Sequence, residues 1–250
     1  MQEEERPDEE GVVTQALRAH AERGHVLLAM WEWARSLAFA FVLFLVLRTF
    51  LVEAFRIPTA SMEDTLLVGD FLLVNKAVYG AEIPGTTIRL PAFTEPHVGE
   101  VVVFTPPHEP TKNYVKRLVG GPGDTLEMRD KELFRNGTPS AESFVRHVDR
   151  AGDAIHPGMK WQSGHLIASA PEGYRPTRDN WGPIVVPDGQ YFTLGDNRDN
   201  SEDSRYWGFV PRAAIRGRPW FVYYSIEQSS PERLPWLRGV RWNRIGLAIR

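Results

Sequence analysis

Three short segments of this 250-residue chain hold side chains from which a reaction could be built. The first, Arg56-Ile-Pro-Thr-Ala-Ser61-Met-Glu-Asp-Thr-Leu66, presents a serine hydroxyl beyond a Pro-Thr-Ala approach. A serine is a weak nucleophile at neutral pH and becomes useful only beside a base. Taken alone, the segment also reads as a loop or a helix cap, with Ser61 capping a short turn and Asp64 at capping-box spacing. The second segment, Tyr114-Val-Lys116-Arg-Leu-Val-Gly-Gly-Pro-Gly-Asp124, offers that base. On a strand, Lys116 shares a face with Tyr114 and Leu118, and Arg117 with Val115 and Val119. A lysine among apolar neighbours ordinarily extends its ammonium to water. If its head is held inside, desolvation lowers its pKa and the neutral amine can accept a proton.

The third segment, Gly195-Asp-Asn-Arg-Asp-Asn-Ser201-Glu-Asp203-Ser-Arg205-Tyr-Trp-Gly208, is a dense polar run between apolar ones. Its alternating oxygens at Asn197, Asp199, Ser201 and Asp203 invite a calcium reading. Glu202 stands where an EF-hand loop needs glycine, however, and Gly208 where it needs a bidentate glutamate. The opposed Asp and Arg residues read instead as a loop that satisfies its own charges.

Other chemistries are poorly supported. The chain has no cysteine, which removes thiol nucleophiles, disulfides and thiolate metal sites. Its seven histidines lack zinc-site spacing. Gly120-Gly-Pro-Gly123 lacks the Gly-Lys-Ser/Thr ending of a phosphate loop. A net charge of -3 gives no basic field for a phosphate backbone, so nucleic acid is not an expected partner.

These segments need elements to hold them. Residues 1–25 open with a crowd of acidic side chains and read as a solvated tail. Ser36 to Val52 is largely apolar with Arg48 as its only charge; with Trp31 and Trp33 included it reaches the length of a bilayer core, both indoles at interface level. We therefore expect a transmembrane anchor over residues 26–53. A buried core helix or a cleaved secretion signal is the alternative; against the signal, some thirty-five residues with an acidic excess precede the run where a short basic segment is expected. Arginines lie on both sides, Arg18, Arg23 and Arg35 before it and Arg48 and Arg56 after, so charge orients the span only weakly.

Beyond Ile57 the texture is that of strands: Phe71 to Val74, Val101 to Phe104, Tyr114 to Val119, Tyr191 to Leu194 and Trp220 to Tyr224. Asn136-Gly137 predicts a hairpin turn, since both residues accept positive φ. Residues 125–187 are richer in His, Pro, Gly and charge than their flanks. They read as a subdomain inserted between two parts of a β core, 54–124 and 188–250. The expected fold is mainly β behind an N-terminal transmembrane helix.

In order and in wording, the apolar helix, the Ser-Met box, the Lys-Arg box ending Gly-Pro-Gly-Asp, and GDNRDNSEDSRYWG resemble the signature boxes of bacterial type I signal peptidases. The resemblance runs from about Trp33 to the Trp242-Asn-Arg-Ile-Gly-Leu stretch. It implies a membrane-bound serine endopeptidase that removes signal peptides from exported preproteins. In that family's pattern Ser61 is the nucleophile and neutral Lys116 the general base. Thr59, with the backbone N–H of Ser61, forms the oxyanion hole; Ser201 orients the lysine, and Asp203 with Arg205 braces it. Phe55, Ile57, Pro58, Met62, Leu66, Tyr114 and Val115 match shallow apolar pockets that accept small residues. An extended substrate pairs with main chain near Pro58 and Tyr114.

The resemblance implies no metal or organic cofactor. Its partners are preproteins, membrane lipid and, transiently, the secretion translocon; its place is the plasma membrane, with one span and the catalytic domain outside the cytoplasm. One departure stands out: the family's box continues Pro-Thr-Leu where this chain reads Asp64-Thr65-Leu66. Two rivals are a self-cleaving repressor-type Ser-Lys peptidase, which would begin with a DNA-binding module, and a silent membrane-anchored binding module. The presence of both Ser61 and Lys116 counts against the second.

Overall fold

The computed structural model describes residues 28, 30–83, 85–86, 88–149, 153, 155–227 and 239–250. The acidic tail expected over residues 1–25 lies outside them. The chain divides into two units, Met1–Arg48 and Thr49–Arg250.

Helix α1 spans Met30–Leu51, 22 residues. At ~1.5 Å per residue it measures about 33 Å, enough for a hydrocarbon core of about 30 Å. Its apolar side chains are uncovered, Trp33 being 72% and Phe39 71% exposed, as on a surface made for an apolar surrounding. The helix widens to a π turn over Leu47–Leu51, at Arg48. Val52 and Glu53, which the sequence reading joins to the span, are paired with Asn75 and Val74 in a strand.

The second unit is antiparallel β structure. Its larger sheet contains β1 (Val52–Arg56), β2 (Asp70–Asn75), β3 (Val101–Phe104), β4 (Tyr114–Gly120), β9 (Gln190–Leu194), β10 (Val210–Pro211) and β11 (Ile215–Ser225). Their spatial order is β1-β2-β11-β3-β4-β9-β10. A smaller sheet contains β5 (Thr125–Arg129), β6 (Glu132–Arg135), β7 (Thr138–Pro139) and β8 (Trp181–Val185) in the order β7-β6-β5-β8. All four of its strands fall within the stretch that composition sets apart. The β6–β7 turn is Asn136-Gly137, with φ of 55° and 77°, as the hairpin signal predicts.

Period-two alternation explains the core. Every residue of β3 is buried. Val101 and Val103 pack with Ile57, Met62, Leu66 and Leu72, whereas Val102 and Phe104 pack with Tyr79, Leu118 and Ile215. A third cluster joins Leu126, Met128, Trp181 and Ile184 of the smaller sheet to Phe192 and Leu194 of β9. Strand β4 follows the same rule, with Leu118 and Tyr114 against the second cluster and Val115 against the first. The sheet thus fixes the two sides of the strand that carries Lys116.

Candidate active site

The Ser61 turn leaves β1 at Arg56 and is pinned at once. The Ile57 N–H donates to the Asp70 carbonyl (2.8 Å), and the Ile57 carbonyl accepts from Gly69 N–H (3.0 Å). Pro58 and Thr59 are exposed, and Thr59 is extended (φ -130°, ψ 158°). A 3₁₀ turn, Ala60–Met62, follows. Met62 and Leu66 are fully buried and root the turn in the core, which leaves the preceding serine at its rim. Ser61 Oγ lies 3.4 Å from Thr59 Oγ1. The helix-cap reading of Ser61 does not hold: Thr59 occupies the N-cap position, its side chain makes no cap bond, and Asp64 bonds to Arg146 instead.

Lys116 does not extend to water. It is 4% exposed, and its Nζ donates to Ser201 Oγ at 3.1 Å, with the Tyr114 ring centroid 5.9 Å away. Burial lowers its pKa to about 8; the Asp203 carboxylate works against that shift and the Arg205 guanidinium with it. Gly195 lies where the Ser61 turn meets Ser201. A Cβ added to it would lie 2.2 Å from Ser201 Oγ and 2.5 Å from the Ser61 carbonyl oxygen, so only glycine lets the Ser61 turn and the Ser201 loop approach this closely. Among the described hydrogen bonds, Ser61 Oγ pairs with Thr59 and Lys116 Nζ with Ser201, with none directly between serine and lysine. Gly195→Ala should therefore push Ser201 and the Ser61 backbone apart. We expect a stability loss of about 1–3 kcal/mol, read by denaturant melts. Wild-type activity in a stable Gly195→Ala variant would show that this closeness is unimportant.

Asp203 and Arg205 form a buried unit beneath Ser201. Asp203 accepts from Arg205 Nε and Nη2, both at 2.8 Å, and from the Gly195 N–H (3.1 Å). Its Oδ1 also accepts from the Arg205 N–H, at the start of the single-turn helix α2 (Ser204–Trp207). Arg205 Nη2 donates onward to the Arg198 carbonyl (2.7 Å). Burial pushes the Asp203 pKa up, but the adjoining guanidinium overrides it and holds the group below the ordinary carboxylate range.

The residues matched to apolar pockets separate by depth. Ile57, Met62 and Leu66 belong to the core, whereas Phe55 and Val115 are half-buried against it. Pro58 is exposed, and Tyr114 is half-buried with its hydroxyl donating to Glu109 (3.0 Å). Strand β9 pairs with β4 only from Arg117 onward, so Tyr114, Val115 and Lys116 have a strand partner in β3 alone.

Several contributors escape the sequence reading. Arg117 binds Asp196 in bidentate fashion (2.8 and 2.7 Å), donates to the Gly99 carbonyl (2.7 Å) and lies 3.7 Å from the Phe144 ring centroid. Asp199 collects Lys131, His147 and the Asp149 N–H, and its pKa falls to about 2 because these donors and Arg178 outweigh burial, the largest influence, which raises it. The polar loop is satisfied largely by partners from other segments. Density of polar residues marks the loop in the sequence, but nothing there marks the partners.

The family described as "Signal peptidase, peptidase S26" matches residues 30–224. A signal peptidase I of Pseudomonas aeruginosa is 38% identical over 86% of this chain and 78% of its own length. The signal peptidase I of Aquifex aeolicus is 33% identical over 79% and 86%. A solved signal peptidase I from Enterococcus faecalis aligns at 29% identity with a TM-score of 0.35, covering 51% of this chain and 98% of that one. The chain belongs to the signal peptidase family, peptidase S26. Within that family it is an enzyme of the signal peptidase I type.

Proposed function

We propose that this chain cleaves signal peptides from exported preproteins with Ser61 as nucleophile and neutral Lys116 as general base. The observation that carries this is the buried Lys116 amine, which donates to the Ser201 hydroxyl and has its pKa lowered to about 8. Such an amine is half neutral near pH 8, and its neutral form can take the Ser61 proton as the hydroxyl attacks the scissile carbonyl. On this reading Ser61 Oγ leaves Thr59 and turns to the lysine for the proton transfer. Thr59 Oγ1 and the Ser61 N–H then donate to the oxyanion. Ser201 holds Nζ in place, and Asp203 with Arg205 holds Ser201.

The substrate binds as a strand along the main chain of Tyr114 to Lys116. Phe55, Pro58, Tyr114 and Val115 make the contact surface, with Ile57, Met62 and Leu66 as its floor. Such apolar walls reject charge and bulk and accept alanine, glycine or serine.

Residues 54–124 and 188–250 form the catalytic core, 125–187 an inserted subdomain, and α1 a single-pass anchor. The acidic tail is cytoplasmic and Arg56 onward is outside, near the translocon and lipid. Incubating the full chain in detergent with a signal-bearing precursor tests the activity: one cleavage after a small residue, absent in Ser61→Ala, is expected. Cleavage by Ser61→Ala at the wild-type rate would end this reading. Protease added to intact spheroplasts should digest the β unit; protection until lysis would reverse the topology.

A further inference from the structure

The turn that carries Ser61 is fastened from behind by groups that the proposed chemistry does not use. The Asn197 N–H donates to the Ser61 carbonyl (3.1 Å), and Asn197 Nδ2 to the Ala60 carbonyl and Glu63 Oε2, both at 3.2 Å. Thr65 Oγ1 donates to Asp196 Oδ2 (2.5 Å). Between these two fastenings, Arg146 Nη1 lies 2.8 Å from Asp64 Oδ1 and 3.8 Å from Glu63 Oε1. Arg146 is itself well placed. Its N–H donates to the Asp196 carbonyl (2.8 Å), and its carbonyl accepts from the Arg198 N–H (3.0 Å). Two residues earlier, Phe144 covers the Arg117 guanidinium. A residue of the 125–187 stretch thus reaches the nucleophile turn from a fixed base.

Asp64 needs such a partner. Its φ is +80°, in the left-handed region, where an L-residue costs about 1–2 kcal/mol and persists only when its surroundings over-determine it. Proline, with φ fixed near -65°, cannot take this conformation, so its restraint is not available to this turn. Aspartate and asparagine tolerate the region best among residues with a side chain. We propose that Arg146 is a positioning residue for Ser61, acting through Asp64 and Glu63. The inference rests on the reading of Ser61 as nucleophile. Because the Arg146 and Asp64 side chains are 38% and 60% exposed, salt screens the pair, and its effect on rate is modest and ionic-strength dependent.

The test measures kcat and KM of the full chain in detergent on a signal-bearing precursor, at low and high salt. It compares wild type with Asp64→Asn, Arg146→Gln, Arg146→Lys and the Asp64→Asn/Arg146→Gln double variant, with Ser61→Ala as the blank. Asp64→Asn keeps the tolerance for positive φ and removes only the charge. Each of Asp64→Asn and Arg146→Gln should lower kcat about fivefold, the scale of one exposed ion pair, with KM nearly unchanged. The double variant should fall no further, Arg146→Lys should recover about half, and only the variants that keep both charges, wild type and Arg146→Lys, should lose kcat as salt rises. Unchanged kcat in both single variants, or losses that multiply in the double, would overturn the proposal. Should Arg146→Gln fold poorly, Asp64→Asn carries the same comparison. The two readings separate cleanly: a fully active Ser61→Ala removes the nucleophile, whereas an inert Ser61→Ala beside a normal Arg146→Gln and Asp64→Asn removes only the role of Arg146.

Discussion

Lys116→Arg should abolish cleavage as fully as Ser61→Ala, lowering the single-turnover rate by about 10²–10⁴-fold, the range in which a positioned general base contributes. Arginine keeps the positive charge and much of the volume, but its guanidinium does not deprotonate at any usable pH. The wild-type rate should rise with pH through about 8, where the buried amine loses its proton, and then level. The same shift has a sign in stability. The folded chain releases this proton near pH 8 and the unfolded chain nearer 10.4, so Lys116 makes the fold more stable as pH rises across that window. Arg117→Lys is the control on the neighbouring residue. It loses the bidentate grip on buried Asp196 and should lower stability, yet the pH profile of the folded variant should keep its wild-type midpoint. Substantial activity in Lys116→Arg would mean that another base serves Ser61.

The second large effect is expected at Asp203. Changing it to asparagine leaves Arg205, 1% exposed, without its counter-charge, and breaking a buried pair in this way costs about 3–5 kcal/mol. Denaturant melts at neutral pH measure it. Acid should produce a milder version in the wild type: the folded pKa of Asp203 is depressed, so its stabilisation is present above the ordinary carboxylate range and is lost as pH falls below it. A second readout separates structure from chemistry. The Asp203 carboxylate raises the Lys116 pKa and Arg205 lowers it, so Asp203→Asn should move the rise of activity to lower pH in whatever fraction folds. An unmoved midpoint would show that Asp203 does not act on the lysine electrostatically.

The elements were legible because periodicity is local. Val101 to Phe104 matches β3 residue for residue, and Tyr114 to Val119 gives all but the last residue of β4, since β-branched and aromatic runs between turn residues leave few alternatives. The Asn136-Gly137 turn was readable for the same reason. Lys116 and Ser201 could be matched to roles through their motifs, and the structure joins them at 3.1 Å. The partners of the polar loop were not legible. Asp196 meets Arg117 across 79 positions and Asp64 meets Arg146 across 82, and charge pairing at such range leaves no spacing to read. The capping reading of Ser61 failed at Asp64, whose positive φ is decided by tertiary contacts. Depth is also hidden: nothing in the sequence separates buried Met62 and Leu66 from half-buried Phe55 and Val115.

The loop from Gly195 to Arg205 takes Thr65, Arg117, Lys131 and the Asp149 N–H as partners from across the chain, the nearest of them 50 positions away. Contacts of such separation close late, because the entropy of the intervening chain must be lost first. Until they close, Lys116 sits in water with an ordinary lysine pKa, Ser201 has no fixed place, and the Ser61 turn is unfastened. If Ser61 and Lys116 carry the reaction as proposed, a newly made chain has no working site until these contacts close. During refolding from denaturant, activity should return no sooner than the last phase of tryptophan burial; cleavage ahead of that phase would contradict such timing.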